Sequence, residues 1–349
     1  NAGNTRWSAQ EIAYSLDDCD TRILFVDDAF AGLAEQLLAL SASLKVLVYT
    51  GTGETPAGMR DLRSLRALAQ SRDDALRRGD EIAAVMYTGG TTGRPKGVAL
   101  SHNNLGFGLL ATLQASPRDA GSVSMHAAPL FHIGGLGLIF QQFGLLNTMV
   151  ILPAFDEVAI LDAIERHKCK LTFLVPTMMK MIIEHPSFPT YDVSSMRTIQ
   201  YGASPIDEAL LQQAMTAFPN AEFTQLYGMT ELSPVITVLR PQDHITEPGQ
   251  PNKLRSAGQP ISIAEIRIVD EAGTPLPIGQ VGEITARGPM VMAGGYWNKP
   301  EQTADAIRDG WMHTGDGGYF DEDGYLFVVD RIKDMIISGG ENIYSSEVE

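Results

Sequence analysis

Tyr87-Thr88-Gly89-Gly90-Thr91-Thr92-Gly93-Arg94-Pro95-Lys96-Gly97 follows directly on an apolar, strand-like segment at residues 82–86. Glycine lets backbone N–H groups turn toward an anion with no Cβ in the way. Threonine hydroxyls add donors, and lysine adds a positive charge. The run therefore reads as a phosphate cradle behind a buried strand. It is not the common phosphate loop of NTPases, which needs Lys followed by Ser or Thr at the opening of a helix. Here Lys96 lies between Pro95 and Gly97, so no helix starts there in that way. A surface turn is the rival reading of any Gly/Thr-rich loop. The preceding strand and the Pro-Lys-Gly ending favour a nucleotide.

Outward from this loop, strand-like and helix-like segments alternate. On the N-terminal side Ser8 and Glu11 form a capping-box pattern ahead of a helix over residues 9–16. Apolar runs at 23–26 and 46–49 flank a second helix near 31–40, and 62–78 reads as a charged surface helix. On the C-terminal side helices are expected at 104–113, 158–167, 178–184 and 207–218. Strands are expected at 149–152, 171–175, 198–201 and 222–227. Pro176 suits a first helical residue. Such alternation implies a parallel sheet covered on both faces. Beyond a polar, Pro- and Gly-rich stretch at 241–258, short strands at 264–269, 282–286 and 325–329 imply a small β-rich subdomain.

Composition narrows the function. The chain has 349 residues, is 44% hydrophobic and carries a formal net charge of −16. That charge argues against a nucleic acid or an anionic membrane surface as partner. No apolar run approaches the ~20 residues of a membrane span. Cys19 and Cys169 are isolated, with neither disulfide nor metal spacing, which points to a reducing, cytoplasmic setting. With no initiating Met and an ending inside a continuing element, the chain reads as a fragment of a longer protein.

Three further clusters carry chemistry. Tyr227-Gly228-Met229-Thr230-Glu231 offers a ring to stack on a base, a hydroxyl donor and a hard carboxylate for a divalent cation. Tyr201-Gly202-Ala203-Ser204-Pro205 offers small residues against which a flat ring can lie. Both close strands, where open α/β sheets bind ligands. Gly310-Trp311-Met312-His313-Thr314-Gly315-Asp316 offers a carboxylate for two vicinal hydroxyls, with a β-turn as the alternative. Asp330-Arg331-Ile332-Lys333-Asp334-Met335, followed by a Gly pair, suits a linker between domains.

In this order the motifs resemble the adenylate-forming enzymes: acyl-CoA synthetases, adenylation domains of peptide synthetases, and luciferases. The resemblance covers nearly the whole chain. It implies an α/β fold, the large N-terminal domain of that family. Parallel-sheet αβα subdomains with the ATP and acyl sites would occupy residues 1–245. A small β-barrel-like subdomain would follow at 246–330, and the hinge and start of a mostly absent C-terminal lid at 331–349. It assigns Thr88, Gly90, Thr91, Thr92, Gly93 and Lys96 to the phosphate loop, with Gly89 standing where the family most often has Ser. It assigns Gly202, Ala203 and Ser204 to the adenine wall, and Tyr227, Gly228 and Thr230 to adenine and phosphate. Glu231 would hold Mg²⁺, Asp316 and Arg331 the ribose, and Lys333 would be the hinge. His132, in Pro129-Leu130-Phe131-His132-Ile133-Gly134-Gly135, would line the acyl site and move when the thiol enters.

The run from Asp330 to Tyr344 is most similar to acyl- and aryl-CoA ligases. The implied reaction joins a fatty or aromatic acid to ATP, giving acyl-AMP and pyrophosphate, and then to CoA. Expected partners are therefore a small-molecule carboxylic acid, ATP and CoA, with a homodimer compatible. Two alternatives stay open: loading of a carrier-protein thiol, and a non-catalytic nucleotide-binding protein. Segments 132–140, 201–203 and 229–235 are the expected acyl pocket. The lid lysine of the family has no counterpart in the chain, so slow adenylation is expected. The remaining His102, His126, His167, His185 and His244 read as surface or packing residues.

Overall fold

Apolar residues at alternate positions of the central strands decide the layering. In Thr198–Gly202, Ile199 and Tyr201 enter the larger core, beneath the helices Glu157–His167, Pro176–Glu184 and Glu208–Ala217. In the neighbouring strand Leu171–Leu174, Leu174 joins that core while Leu171 and Phe173 face the opposite side. There they meet Leu138 of the helix Ile133–Gly144 and Leu226 of the strand Glu222–Tyr227. Both faces are buried, as expected of a parallel sheet under helices.

The computed structural model describes residues 1–89, 94–115, 120–245, 252–331, 336–338 and 341–343. The described sheet containing these strands has seven members. In spatial order they are Gln259–Pro260, Thr237–Leu239, Glu222–Tyr227, Thr198–Gly202, Leu171–Leu174, Val123–His126 and Thr148–Ile151. The last five pair in parallel, and the two at the first edge are antiparallel. A curled antiparallel sheet follows. It is built on Glu265–Val269, Gly282–Arg287, Trp311–Phe320 and Ile307–Arg308, with Leu326–Arg331 paired to the long strand. The α/β architecture and the β-rich segment thus agree with the sequence reading.

The chain divides into two compact units. One comprises Asn1–His102 with Gly294–Pro300, the other Asn103–Ala293 with Glu301–Glu349. The first unit holds a parallel sheet of Ile23–Val26, Val46–Tyr49 and Arg60–Asp61, and the hairpin of Ile82–Thr88 with Lys96–Ser101. Its first helix, Ala9–Asp18, starts on the expected Ser8–Glu11 capping box. Leu62–Leu68 is a short helix that ends at Ala69, and residues 69–78 are irregular, which corrects the reading of one long helix there. Leu68 and Leu76 are exposed, so the segment has no core face, and a helix without one is marginal in water. Among the described residues no helix is long and apolar enough to cross a membrane.

His126 closes its strand inside the second unit, 3% exposed, with Nε2 2.8 Å from the Ser124 hydroxyl. Burial pushes its pKa from 6.5 down to about 4. The unfolded chain binds this proton at higher pH than the folded one, so stability is lost as pH falls from 6.5 toward 4. The loss expected from this group approaches about 3 kcal/mol. Urea melts across that interval should show it, and His126→Asn should flatten the slope.

Candidate nucleotide and acyl site

Tyr227 ends the strand Glu222–Tyr227, and the chain turns there because Gly228 carries no side chain. A Cβ on Gly228 would run into the Pro234 carbonyl oxygen, and one on Gly202 into that of Leu226. These close backbone approaches put two strand ends side by side. After them Thr230–Leu232 forms one 3-10 turn. Glu231 is 4% exposed, and its carbonyl oxygen accepts from the Met292 N–H at 2.8 Å.

The Tyr227 hydroxyl donates to Asp316 Oδ2 at 2.8 Å. Asp316 lies on Trp311–Phe320 in register with Arg331 on Leu326–Arg331, whose Nε is 3.3 Å from Asp316 Oδ1. Sheet pairing therefore joins two residues that come from separate motifs and that the resemblance assigns to one ligand group. It also excludes the turn alternative, because the segment around Asp316 is a strand. Burial raises the Asp316 pKa; the Tyr227 hydroxyl and the Arg331 guanidinium oppose the rise, while Glu283 adds to it. Burial, with the Asp316 charge next in weight, holds the Tyr227 hydroxyl well above its ordinary value, so it stays a donor. A carboxylate has about four acceptor sites, and each Asp316 oxygen can take a further hydroxyl. These acceptor sites thus fit a ribose diol.

Glu231 fits Mg²⁺ as a hard oxygen donor, since Mg²⁺ is commonly held by one or two carboxylates together with substrate phosphates and water. Among the described residues no group of three His, Cys, Asp or Glu gathers around a point.

Beside these residues opens a cavity of about 80 Å³, several times the ~10–15 Å³ one water needs. Its walls come from Ile133, Gly134, Gly137 and Leu138 on the helix, Phe173, Gln200 and Leu226 on strands, and Met229, Pro234 and Val235 on the loop. Gly137, Gln141 and Pro234 are shared with a smaller hollow of about 10 Å³ against the helix His102–Ala115. The expected segments 132–140 and 229–235 are both represented.

The structure corrects two details. Tyr201 faces away from the cavity, fully buried, with its hydroxyl 2.9 Å from His244 Nε2, so of 201–203 only Ala203 lines the wall. His132 is exposed, precedes the helix and packs on Phe131, with ring centroids 4.7 Å apart; the neighbouring Ile133 is the wall residue. Ser204 is exposed just past Ala203. The sequence reading missed Phe173, Gln200 and Leu226. A glutamine in the middle of Thr198-Ile199-Gln200-Tyr201-Gly202, among strand residues, was the available signal.

In the first unit, Thr88 and Lys96 are register partners across the hairpin, and Lys96 Nζ lies 4.8 Å from the Tyr296 ring centre. Lys96 thus opens a strand rather than a helix. Gly89 has open space where a Cβ would go, so a serine fits there. Gly90, Thr91, Thr92, Gly93 and Lys333 lie outside the described residues.

The family described as AMP-binding enzyme matches residues 2–297. The chain belongs to the AMP-binding enzyme family. A feruloyl-CoA synthase of Amycolatopsis is 42% identical over 313 residues, covering 87% of this chain and 62% of the relative. A fatty acid–[acyl-carrier-protein] ligase of Streptomyces coeruleorubidus is 36% identical, covering 99% of this chain and 65% of the relative. Among solved structures, an amide bond synthetase of Marinactinospora thermotolerans superposes with a TM-score of 0.84 at 33% identity. It covers 99% of this chain and 66% of its own. An o-succinylbenzoate CoA synthetase of Bacillus subtilis, in complex with ATP and magnesium ion, gives 0.82 at 31%, covering 99% and 67%. The chain thus spans less than two thirds of the length of these two curated relatives.

Removing the Tyr227 hydroxyl takes away the hydrogen bond that opposes the burial-driven rise at Asp316. Tyr227→Phe should therefore move the Asp316 pKa upward, read as the pH at which its side-chain carboxyl carbon titrates in an NMR experiment. A downward move would contradict the assignment.

Proposed function

We propose that the protein activates a fatty or aromatic carboxylic acid with ATP and passes the acyl group to CoA. The single observation that carries this is the join between an apolar cavity and the Tyr227–Asp316–Arg331 cluster at the same strand end. The cavity suits a hydrocarbon or aryl group, and the cluster suits a ribose.

In the first half-reaction a carboxylate oxygen attacks the α-phosphorus of ATP. A P–O bond forms, the bond to the bridging oxygen breaks, and pyrophosphate leaves. In the second the thiol sulfur attacks the acyl carbon, its proton is lost to solvent, and AMP leaves. The protein's task is positioning and charge neutralisation between anions. We assign Asp316 and Arg331 to the ribose, and Gly202, Ala203, Ser204, Tyr227 and Gly228 to the adenine. Thr88, Lys96, Thr230 and residues 90–93 would serve phosphates. Glu231 would hold magnesium, which neutralises phosphate charge when bound. His132 is retained as a gate at the mouth of the acyl site, and Lys333 as the hinge. The division at residues 245 and 330 and a cytoplasmic location belong to the same proposal.

A carrier-protein acceptor is the second reading, favoured by the acyl-carrier-protein ligase among the relatives. Offering CoA and a phosphopantetheinylated carrier protein in parallel separates the two. For the first half-reaction, Glu231→Ala should lower ATP–pyrophosphate exchange about 10²–10³-fold. Near-normal exchange in that variant would sink the metal assignment.

A further inference from the structure

Gln200 occupies the middle of the strand Thr198–Gly202, in register with Phe173 on one side and Thr224 on the other. Its neighbours Ile199 and Tyr201 go to the larger core, which turns Gln200 toward the cavity. The residue is 1% exposed, and its Nε2 has no hydrogen-bond partner among the described residues. The wall around it is mostly apolar, with Phe173, Leu226, Leu138 and Val235; Gln141 is the other polar side chain among the lining residues. A buried amide donor without a partner is costly, and folded proteins keep few of them.

A hydrocarbon tail in the cavity would leave that donor unpaired. A tail carrying an oxygen beside it would complete the bond. We propose that Gln200 is a specificity-determining residue whose side-chain N–H donates to an oxygen on the acyl or aryl group. The oxygen belongs to a hydroxyl, an ether or a carbonyl. The inference rests on the acid-activation reading above and names the substrate class for the same cavity. Gln200 lies two residues below the strand end at Gly202, ~6–7 Å at ~3.3 Å per residue. The oxygen is therefore placed at the far end of the acid, away from the carboxylate that must meet ATP.

Matched acids test this. A para-methoxy and a para-ethyl arylpropenoic acid have the same shape and differ in one acceptor. Octanoic acid and its analogue with an ether oxygen in place of a distal methylene form an aliphatic pair. In ATP–pyrophosphate exchange, the oxygen-bearing member of at least one pair should have a kcat/KM about tenfold to a hundredfold higher. Gln200→Leu should bring that ratio near one, raising the hydrocarbon member as it lowers the other. Gln200→Met, closer in shape, repeats the test if the leucine variant does not fold. Wild-type protein with no preference in either pair overturns the proposal. So does a variant that depresses both members equally, which would mark Gln200 as structural. Wild-type protein that exchanges pyrophosphate with no acid at all overturns the activation reading itself, a different result from activity without discrimination.

Discussion

Around Gly202 and Gly228 two neighbouring strand ends and the loop that follows meet closer than any side chain would allow. A Cβ at either position would collide with a carbonyl oxygen, of Leu226 or of Pro234. Everything at the site hangs on this contact. It lets the chain turn directly after Tyr227, sets the 3-10 turn that carries Glu231, and brings Pro234 and Val235 back to close the cavity. It also fixes where the Tyr227 ring leaves the sheet, and thus where its hydroxyl meets Asp316.

The layering explains why one sheet serves two purposes. The face with Ile199, Tyr201, Leu174 and Phe223 is filled by three helices and leaves a packed core. The opposite face meets the helix Ile133–Gly144, where Gly134 and Gly137 leave space instead of filling it. A cavity survives there because small residues on the helix stand against larger ones on the strands. Packing density elsewhere is what holds that shape open.

Electrostatics at the Tyr227–Asp316–Arg331 cluster is set by burial more than by ion pairing. Arg331 is 61% exposed at its side chain, so its pair with Asp316 is screened by water. Desolvation raises the Asp316 pKa, and the Tyr227 hydroxyl is the partner that most opposes the rise. The cluster is thus a tuned acceptor, with its geometry fixed by two paired strands and one tyrosine.

Much of this was legible in the chain. Strand-like segments alternating with helix-like ones predict the parallel sheet, because parallel neighbours need a crossover between them, usually a helix. The family resemblance brings Tyr227, Glu231, Asp316 and Arg331 forward, because local chemistry leaves local motifs. The irregular segment at 69–78 was misread, since charge pattern says nothing of whether a helix has a core to lie on. Phe173, Gln200 and Leu226 were missed for a related reason. They sit on three strands, far apart in sequence, and only strand register makes them neighbours. The sequence by itself determined most of the elements and the family. The tertiary structure decided the cavity wall, the Asp316–Arg331 pairing and the direction Gln200 faces, because each depends on the pairing of distant strands.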